Sequence, residues 1–192
     1  MFIIPPLIYK ITITLSHQLL PIFIKISESS TIALLVYVDH IVLASNNVAE
    51  IETITSLLDH AFKIMNLGYL RYFLGLEVAR NNSEIRLSQH KYTLDILTDC
   101  GMLTSLPVAM PMDYTARLST SSGTPLPDSS SYRLLLGRLI YLTTTRPDIS
   151  YVVHHLSQFM LAPAHSQATF RILRYLKQAP GLGLFFAANS SL

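Results

Sequence analysis

Two periodicities run along the chain, and they divide it into strands and helices. Ile22 to Ser27 reads as a short strand and Ala33 to Asp39 as a buried one. Ile41 to Ser45 is apolar again, so Asp39-His40 is expected as the two-residue tip of a β-hairpin. From Asn47 the period changes to helical. Ile51, Ile54, Leu58, Ala61, Phe62 and Met65 form one stripe, Asn47 with Glu50 has the spacing of a capping box, and Gly68 is the expected stop. Leu70 to Arg80 is aromatic and β-branched enough for a strand; Asn81-Asn82-Ser83 turns it back through Glu84 to Leu87 as a second hairpin. Ser88 is expected to cap a helix that runs to Cys100 and ends at Gly101.

Residues 106–128 are rich in Pro, Ser, Thr and Gly and read as a linker or long surface loop. Three helical stripes follow. The first carries Tyr132, Leu135, Leu136, Leu139, Ile140 and Thr143, with Gly137 on the opposite side, where its lack of a side chain would permit a close contact. The second carries Ile149, Val152, Val153, Leu156, Phe159 and Met160 behind Pro147. The third carries Thr169, Ile172, Leu173 and Leu176 and closes at Pro180-Gly181. Gly183 to Ala187 reads as a last strand with nothing after it to pair with.

Composition narrows the class without naming a function. Of 192 residues, 50% are hydrophobic and 14% charged, which excludes an intrinsically disordered chain and leaves enough apolar material for a real core. One cysteine, Cys100, excludes an internal disulfide and a Cys-rich zinc site. The net charge of +2 is unevenly spread. Residues 1–100 hold seven Lys/Arg against nine Asp/Glu, whereas residues 101–192 hold seven against three. That asymmetry fits either surface solubilisation or an anionic partner on the C-terminal side. The apolar stretch from Met1 to Ile26 is interrupted by Pro5, Pro6, Lys10, Pro21 and Lys25 and lacks the basic start of a signal peptide. It is expected to be neither a span nor a leader; the compartment stays open, with nucleus or cytoplasm the expectation if the chain is expressed.

Candidate chemistry is sparse. Asp39 on a rigid hairpin could serve as a magnesium ligand, because magnesium takes carboxylate oxygens in near-octahedral geometry. Asp and His are also ordinary turn residues, and spacing alone favours that reading. The seven histidines form no His-Glu-x-x-His pair, and no P-loop or complete dinucleotide fingerprint occurs. Arg171, Arg174 and Lys177 share one side of the last helix, opposite Ile172, Leu173 and Leu176. They are open to two readings, a solvated polar face or contacts to phosphates.

Four separated blocks carry a resemblance. "LLVYVDHIVLASNN" (34–47) resembles the Tyr-Val-Asp-Asp active-site hairpin of Ty1/copia-type retrotransposon reverse transcriptases. "LGYLRYFLGLEVARNNSEIRLSQHKYTLDIL" (67–97), "YRLLLGRLIYLTTTRPDISYVVHHLSQFM" (132–160) and "RILRYLKQAPGLGLFF" (171–186) resemble the blocks that follow it, in the family's order and spacing. The resemblance covers roughly residues 22–192, and residues 1–21 are left unassigned. It implies an α+β fold. Residues 22–105 would be a partial palm, 106–127 a linker, 128–180 a helical thumb-like or connection segment, and 181–192 a strand leading toward a missing RNase H domain.

The resemblance also implies roles. Asp39 would be the remaining metal-binding Asp of the hairpin, and His40 stands where the family has the second. Phe73-Leu74-Gly75 would belong to the primer grip, and Arg171, Arg174 and Lys177 would contact an RNA or DNA template–primer. The cofactor implied is Mg2+, as a pair of ions that stabilise the attacking and leaving oxygens. Imidazole suits zinc, copper or iron far better than magnesium. The family's upstream Asp has no counterpart, since Glu28 is the only acidic residue before Asp39 and lies in the turn entering the first hairpin strand. The expectation is therefore a truncated, degenerate polymerase fragment, a pseudoenzyme in which fingers and RNase H portions are missing. The alternatives are one piece of a split polymerase completed by another chain, and a small membrane-associated protein.

Overall fold

The computed structural model describes residues 7–12, 22–113, 129–160 and 166–187. The chain divides into two compact units, one of Met1–Phe73, Val78–Ile85 and Phe186–Leu192, the other of Leu74–Glu77 and Arg86–Phe185. Both strands and helices are present, as an α+β fold requires.

The first unit is built on a five-stranded sheet of order β2-β3-β4-β1-β5. Its strands are β1 (Leu7–Thr12), β2 (Ile22–Ile26), β3 (Thr31–Tyr37), β4 (His40–Ser45) and β5 (Met65–Tyr69). The four pairings β2-β3, β3-β4, β4-β1 and β1-β5 are all antiparallel. Residues 7–12, left unassigned by their sequence, take the place between β4 and β5. In the β3-β4 register Leu34 faces Leu43 and Val36 faces Ile41. Ile32, Ile41 and Leu43 form the buried cluster of this sheet, with Leu34, Val36, Ile54, Leu58 and Ile64 packed against it.

Helix α1 (Val48–Phe62) contributes Ile54 and Leu58 to that cluster. Asn47 caps it as expected, accepting from the Ala49 amide at 3.1 Å. The capping box does not close: the Asn47 amide donates to Ser45 Oγ at 3.1 Å, and Glu50 Oε1 faces Lys25 Nζ at 3.5 Å instead. The helix also stops before Gly68. Lys63 takes the left-handed cap at φ 50, so Met65 and Gly68 fall in β5, and Phe62 and Met65 are exposed rather than part of the stripe. A hydrophobic stripe marks a helical face but not its last turn.

The expected strand from Leu70 to Arg80 is two strands, β6 (Tyr72–Phe73) and β7 (Leu76–Arg80), broken by a turn at Leu74-Gly75. β7 and β8 (Glu84–Ser88) form the second hairpin, its tip fixed by Asn81 Oδ1 accepting from the Ser83 amide at 2.8 Å. The sheet order is β6-β7-β8-β9, with β9 at Gly183–Ala187. β9 therefore does have a partner, although that partner precedes it by about a hundred residues of chain rather than following it.

The second unit's core is helical. Ile96 and Leu97 of α2 (His90–Asp99), Leu136, Leu139 and Leu142 of α3 (Ser129–Leu142), Val152, Val153 and Leu156 of α4 (Ser150–Ser157), and Ile172, Leu173 and Leu176 of α5 (Ser166–Gln178) form one buried cluster. The inward faces of α4 and α5 are those their stripes predict. In α3, Leu142 is fully buried while Thr143 is only half-buried. Gly137 has open space around it, so no close approach explains it. α2 starts one residue later than its sequence predicts, with Gln89 at the cap and no side-chain capping bond. Gln89 is turned inward, its Oε1 accepting from Thr145 Oγ1 at 2.7 Å. At the other end Gly101, at φ 65, closes a Schellman pair: its amide donates to Thr98 and the Met102 amide to Leu97.

Candidate functional site

The β3-β4 turn carries the candidate chemistry. Tyr37 pairs with His40 in the ladder, so the two tip residues are Val38 and Asp39, one position earlier than the expected Asp39-His40. His40 is the first residue of β4 and is held in register on both sides, by Tyr37 of β3 and Thr12 of β1. Val38 sits at φ 50. A β-branched residue in the left-handed region is strained, and such strain persists only where the surrounding ladder imposes it.

Asp39 and His40 touch each other. Nδ1 of His40 lies 2.6 Å from Oδ1 of Asp39, with side-chain exposures of 31% and 53%. In a neutral ring this contact puts the proton on Nδ1 and leaves Nε2 as the acceptor. The donor set is thus one carboxylate, already engaged, and one imidazole. Among the described residues no group of three or more His, Cys, Asp or Glu side chains could hold a metal ion. Glu28 lies in the turn before β3, at the far end of a seven-residue strand that spans about 23 Å. Glu77 Oε1 accepts the Lys91 amide at 2.7 Å. These groups do not fit a pair of magnesium ions, which need several hard oxygens at near-octahedral positions.

The Phe73-Leu74-Gly75 element is a tight turn. Leu74 at φ 51 and Gly75 at φ 76 are both left-handed, the signature of a two-residue type I′ turn. Glycine takes this conformation at no steric cost; leucine does not. The Tyr141 hydroxyl of α3 donates to the Leu74 carbonyl. Tyr141 in turn meets Tyr92 edge-to-face at 5.3 Å, and Arg138 lies over the Tyr92 ring while its guanidinium donates to Asp99 at 2.7 Å. Within the first unit, Phe73 meets Tyr37 edge-to-face, ring centroids 6.1 Å apart. Within that unit the structure therefore brings Phe73 and the Asp39 hairpin together through one aromatic pair. No sequence signal links these two positions, which are far apart in the chain.

Arg171, Arg174 and Lys177 are half-buried and share a single peptide segment as partner. Arg171 Nε donates to the Met110 carbonyl at 3.3 Å, Arg174 Nε to the Leu106 carbonyl at 2.7 Å, and Lys177 Nζ to the Ser105 carbonyl. The part of the expected linker within the described residues, 106–113, is thus tied to α5. Its remainder, 114–127, lies outside the described residues.

One polar cluster, gathered around a buried arginine, has no counterpart in the sequence pattern. Arg146 is 1% exposed. It binds both carboxylate oxygens of Asp148 at 2.7–2.9 Å and donates to the Ala179 carbonyl at 3.0 Å. Tyr175 donates to Asp148 Oδ2 at 2.8 Å. Burial raises the Asp148 pKa, but hydrogen bonds from Arg146 and Tyr175 and the Arg146 charge outweigh it, leaving the carboxyl below its ordinary range. The Arg-x-Asp spacing was the available signal. Cys100 has its thiol pushed up by burial, against the lowering effect of Arg138, so it lacks the character of a nucleophile.

Comparison with known proteins gives a family to set beside this geometry. Residues 4–114 match the family described as Reverse transcriptase (RNA-dependent DNA polymerase), and the match takes in the strand at 7–12. The chain is 41% identical over 173 residues to the Retrovirus-related Pol polyprotein from transposon RE2 of Arabidopsis thaliana, covering 89% of this chain and 12% of that protein. It is 38% identical over 161 residues to an uncharacterized mitochondrial protein of the same plant, covering 83% of this chain and 67% of that one. It is 29% identical over 181 residues to the Pol polyprotein from transposon TNT 1-94 of Nicotiana tabacum, covering 88% of this chain and 14% of that protein. The chain thus spans about an eighth of the polyproteins it matches. No solved structure matches it. Among the described residues no helix is long and apolar enough to cross a membrane.

Proposed function

Given that this chain belongs to the reverse transcriptase family, in its Ty1/copia-type branch, we propose that it is a polymerase fragment that binds template–primer weakly and does not itself transfer nucleotides. The contact between His40 Nδ1 and Asp39 Oδ1 at 2.6 Å carries this reading. Where the family's hairpin offers two carboxylates to magnesium, this hairpin offers one, and its neighbour competes for it. A missing carboxylate also removes a negative charge that would draw the metal in. Nucleotidyl transfer without that charge neutralisation loses the stabilisation of the developing oxyanion and of the leaving pyrophosphate.

Affinity for nucleic acid is a separate matter, since most of it comes from sequence-independent contacts of Lys and Arg to phosphates. Arg171, Arg174 and Lys177 would supply such contacts. The Phe73-Leu74-Gly75 turn, held by Tyr141, would lie along the primer. The test is primer extension on an RNA template with Mg2+ or Mn2+, run on the chain and on His40→Asp. The expected result is no incorporation by the chain, alongside salt-sensitive retention of the labelled primer–template. Template-dependent incorporation by the unaltered chain would refute the reading.

A further inference from the structure

The three basic residues of α5 are spaced so that each meets the same stretch of backbone. Ser105 O, Leu106 O and Met110 O accept from Lys177, Arg174 and Arg171 in turn, so the segment runs antiparallel to the helix. The Val108 amide returns a bond to the Arg174 carbonyl at 3.3 Å, and Asp113 Oδ2 lies 3.7 Å from Arg171 Nη1. Residues 103–113 form neither helix nor strand, so their carbonyls have no ladder of their own to satisfy them. Met102 and Met112 pack against the helical core at either end. Between those anchors, Leu106 is 77% exposed.

We propose that residues 105–113 are a strap occupying the basic face of α5, and that a nucleic-acid backbone binds this face by displacing the strap. A phosphate oxygen and a peptide carbonyl ask for the same donors, and the phosphate carries the charge that a guanidinium or ammonium prefers. The strap's one carboxylate, Asp113, imitates that charge at the Arg171 end. The strap is anchored by side chains at Met102 and Met112, and between them it is held by bonds from the three α5 cations and one amide, donors that an incoming phosphate can take over, so its middle can lift while its ends stay seated. The inference rests on the proposed affinity for template–primer and adds to it the surface used and the segment that guards it.

Hydrogen exchange across residues 105–113 of the full chain, with and without a fluorescently labelled RNA–DNA primer–template, tests the proposal together with binding anisotropy. Adding the duplex is expected to raise exchange in the strap at least threefold. Val108→Pro, which removes the strap's amide bond to the Arg174 carbonyl and alters no basic side chain, is expected to tighten binding several-fold. Arg174→Ala is expected to raise strap exchange without any duplex present and to weaken binding. Binding that leaves strap exchange unchanged, with Val108→Pro binding as the unaltered chain does, overturns the strap while leaving the proposed affinity standing. Absence of binding by the unaltered chain and by Val108→Pro removes both.

Discussion

Nδ1 of His40 lies 2.6 Å from Oδ1 of Asp39, so the carboxylate at the hairpin tip is engaged by its own neighbour. The ladder enforces this contact. His40 is fixed as the first residue of β4 by its pairing with Tyr37, and the tight tip at Val38-Asp39 turns the Asp39 side chain back toward it. Replacing the ring with a second carboxylate changes the metal chemistry of the tip. In His40→Asp, two adjacent carboxylates repel, and a divalent cation relieves that repulsion. Thermal unfolding is expected to shift upward with MgCl2 for His40→Asp and to stay unmoved for the unaltered chain. Equal shifts in the two proteins would contradict this account of the tip.

Arg146 is the largest polar side chain in the helical core, and all its bonds are internal. Arg146 is buried but the Asp148 side chain keeps 28% exposure, so losing the guanidinium forfeits charge-assisted hydrogen bonds without stranding a buried charge, at a cost of about 1.5–3 kcal/mol. Arg146→Ala should lower stability by that amount in urea unfolding. Arg146→Lys should recover only part of it, because an ammonium cannot bond both Asp148 oxygens and the Ala179 carbonyl with the same geometry.

The same cluster contributes to the acid limb of stability. The Asp148 pKa is depressed in the folded chain. Its contribution is therefore fully present above the unfolded value, near 4, and is lost as pH falls through the lower folded value. Unfolding free energy followed from pH 6 downward should drop less steeply for Asp148→Asn than for the unaltered chain. Parallel curves would show that other carboxylates carry the acid response.

Gly183 is needed for space. A Cβ there would lie 2.0 Å from the Leu87 carbonyl oxygen, a backbone atom that cannot move aside without breaking the β8-β9 pairing. Gly183→Ala should destabilise by about 1–3 kcal/mol, the usual cost of forced overpacking. Gly137→Ala should be neutral or mildly stabilising, because that position is open and helical. Urea midpoints of the two variants decide the contrast.

β2 is an edge strand, and Ile22, Phe23, Ile24 and Ile26 are all exposed on it. Unpaired apolar edges template aggregation, and a lysine placed on them opposes it. Ile24→Lys should lower light scattering of the purified chain at equal concentration with little change in its unfolding midpoint. Unchanged scattering would move the source of association elsewhere.

Much of this protein was legible in local pattern. Thr169, Ile172, Leu173 and Leu176 are buried as their spacing predicts, Asn47 caps α1, and Asn81 closes its turn. Periodicity reports which side of an element meets apolar atoms, and a cap or turn is chemistry between near neighbours, so both are written in short stretches of chain. Boundaries were less legible. Lys63 ends α1 five residues before Gly68, and the Leu74-Gly75 turn splits one expected strand into two. In both places a non-glycine residue, Lys63 or Leu74, takes the left-handed conformation that sequence reserves for glycine.

By itself the sequence determined the hydrophobic faces, the α+β class, the order of blocks that marks a copia-type reverse transcriptase, and the placing of an imidazole at position 40 beside Asp39. Tertiary structure alone decided who meets whom across long separations: β9 against β8, Tyr37 against Phe73, Arg146 with Ala179, and the basic face of α5 against residues 105–113. Local pattern encodes each element's preference for burial. Pairing between distant elements follows from closing all the chain's backbone bonds and apolar faces at once, a condition no short window of sequence contains.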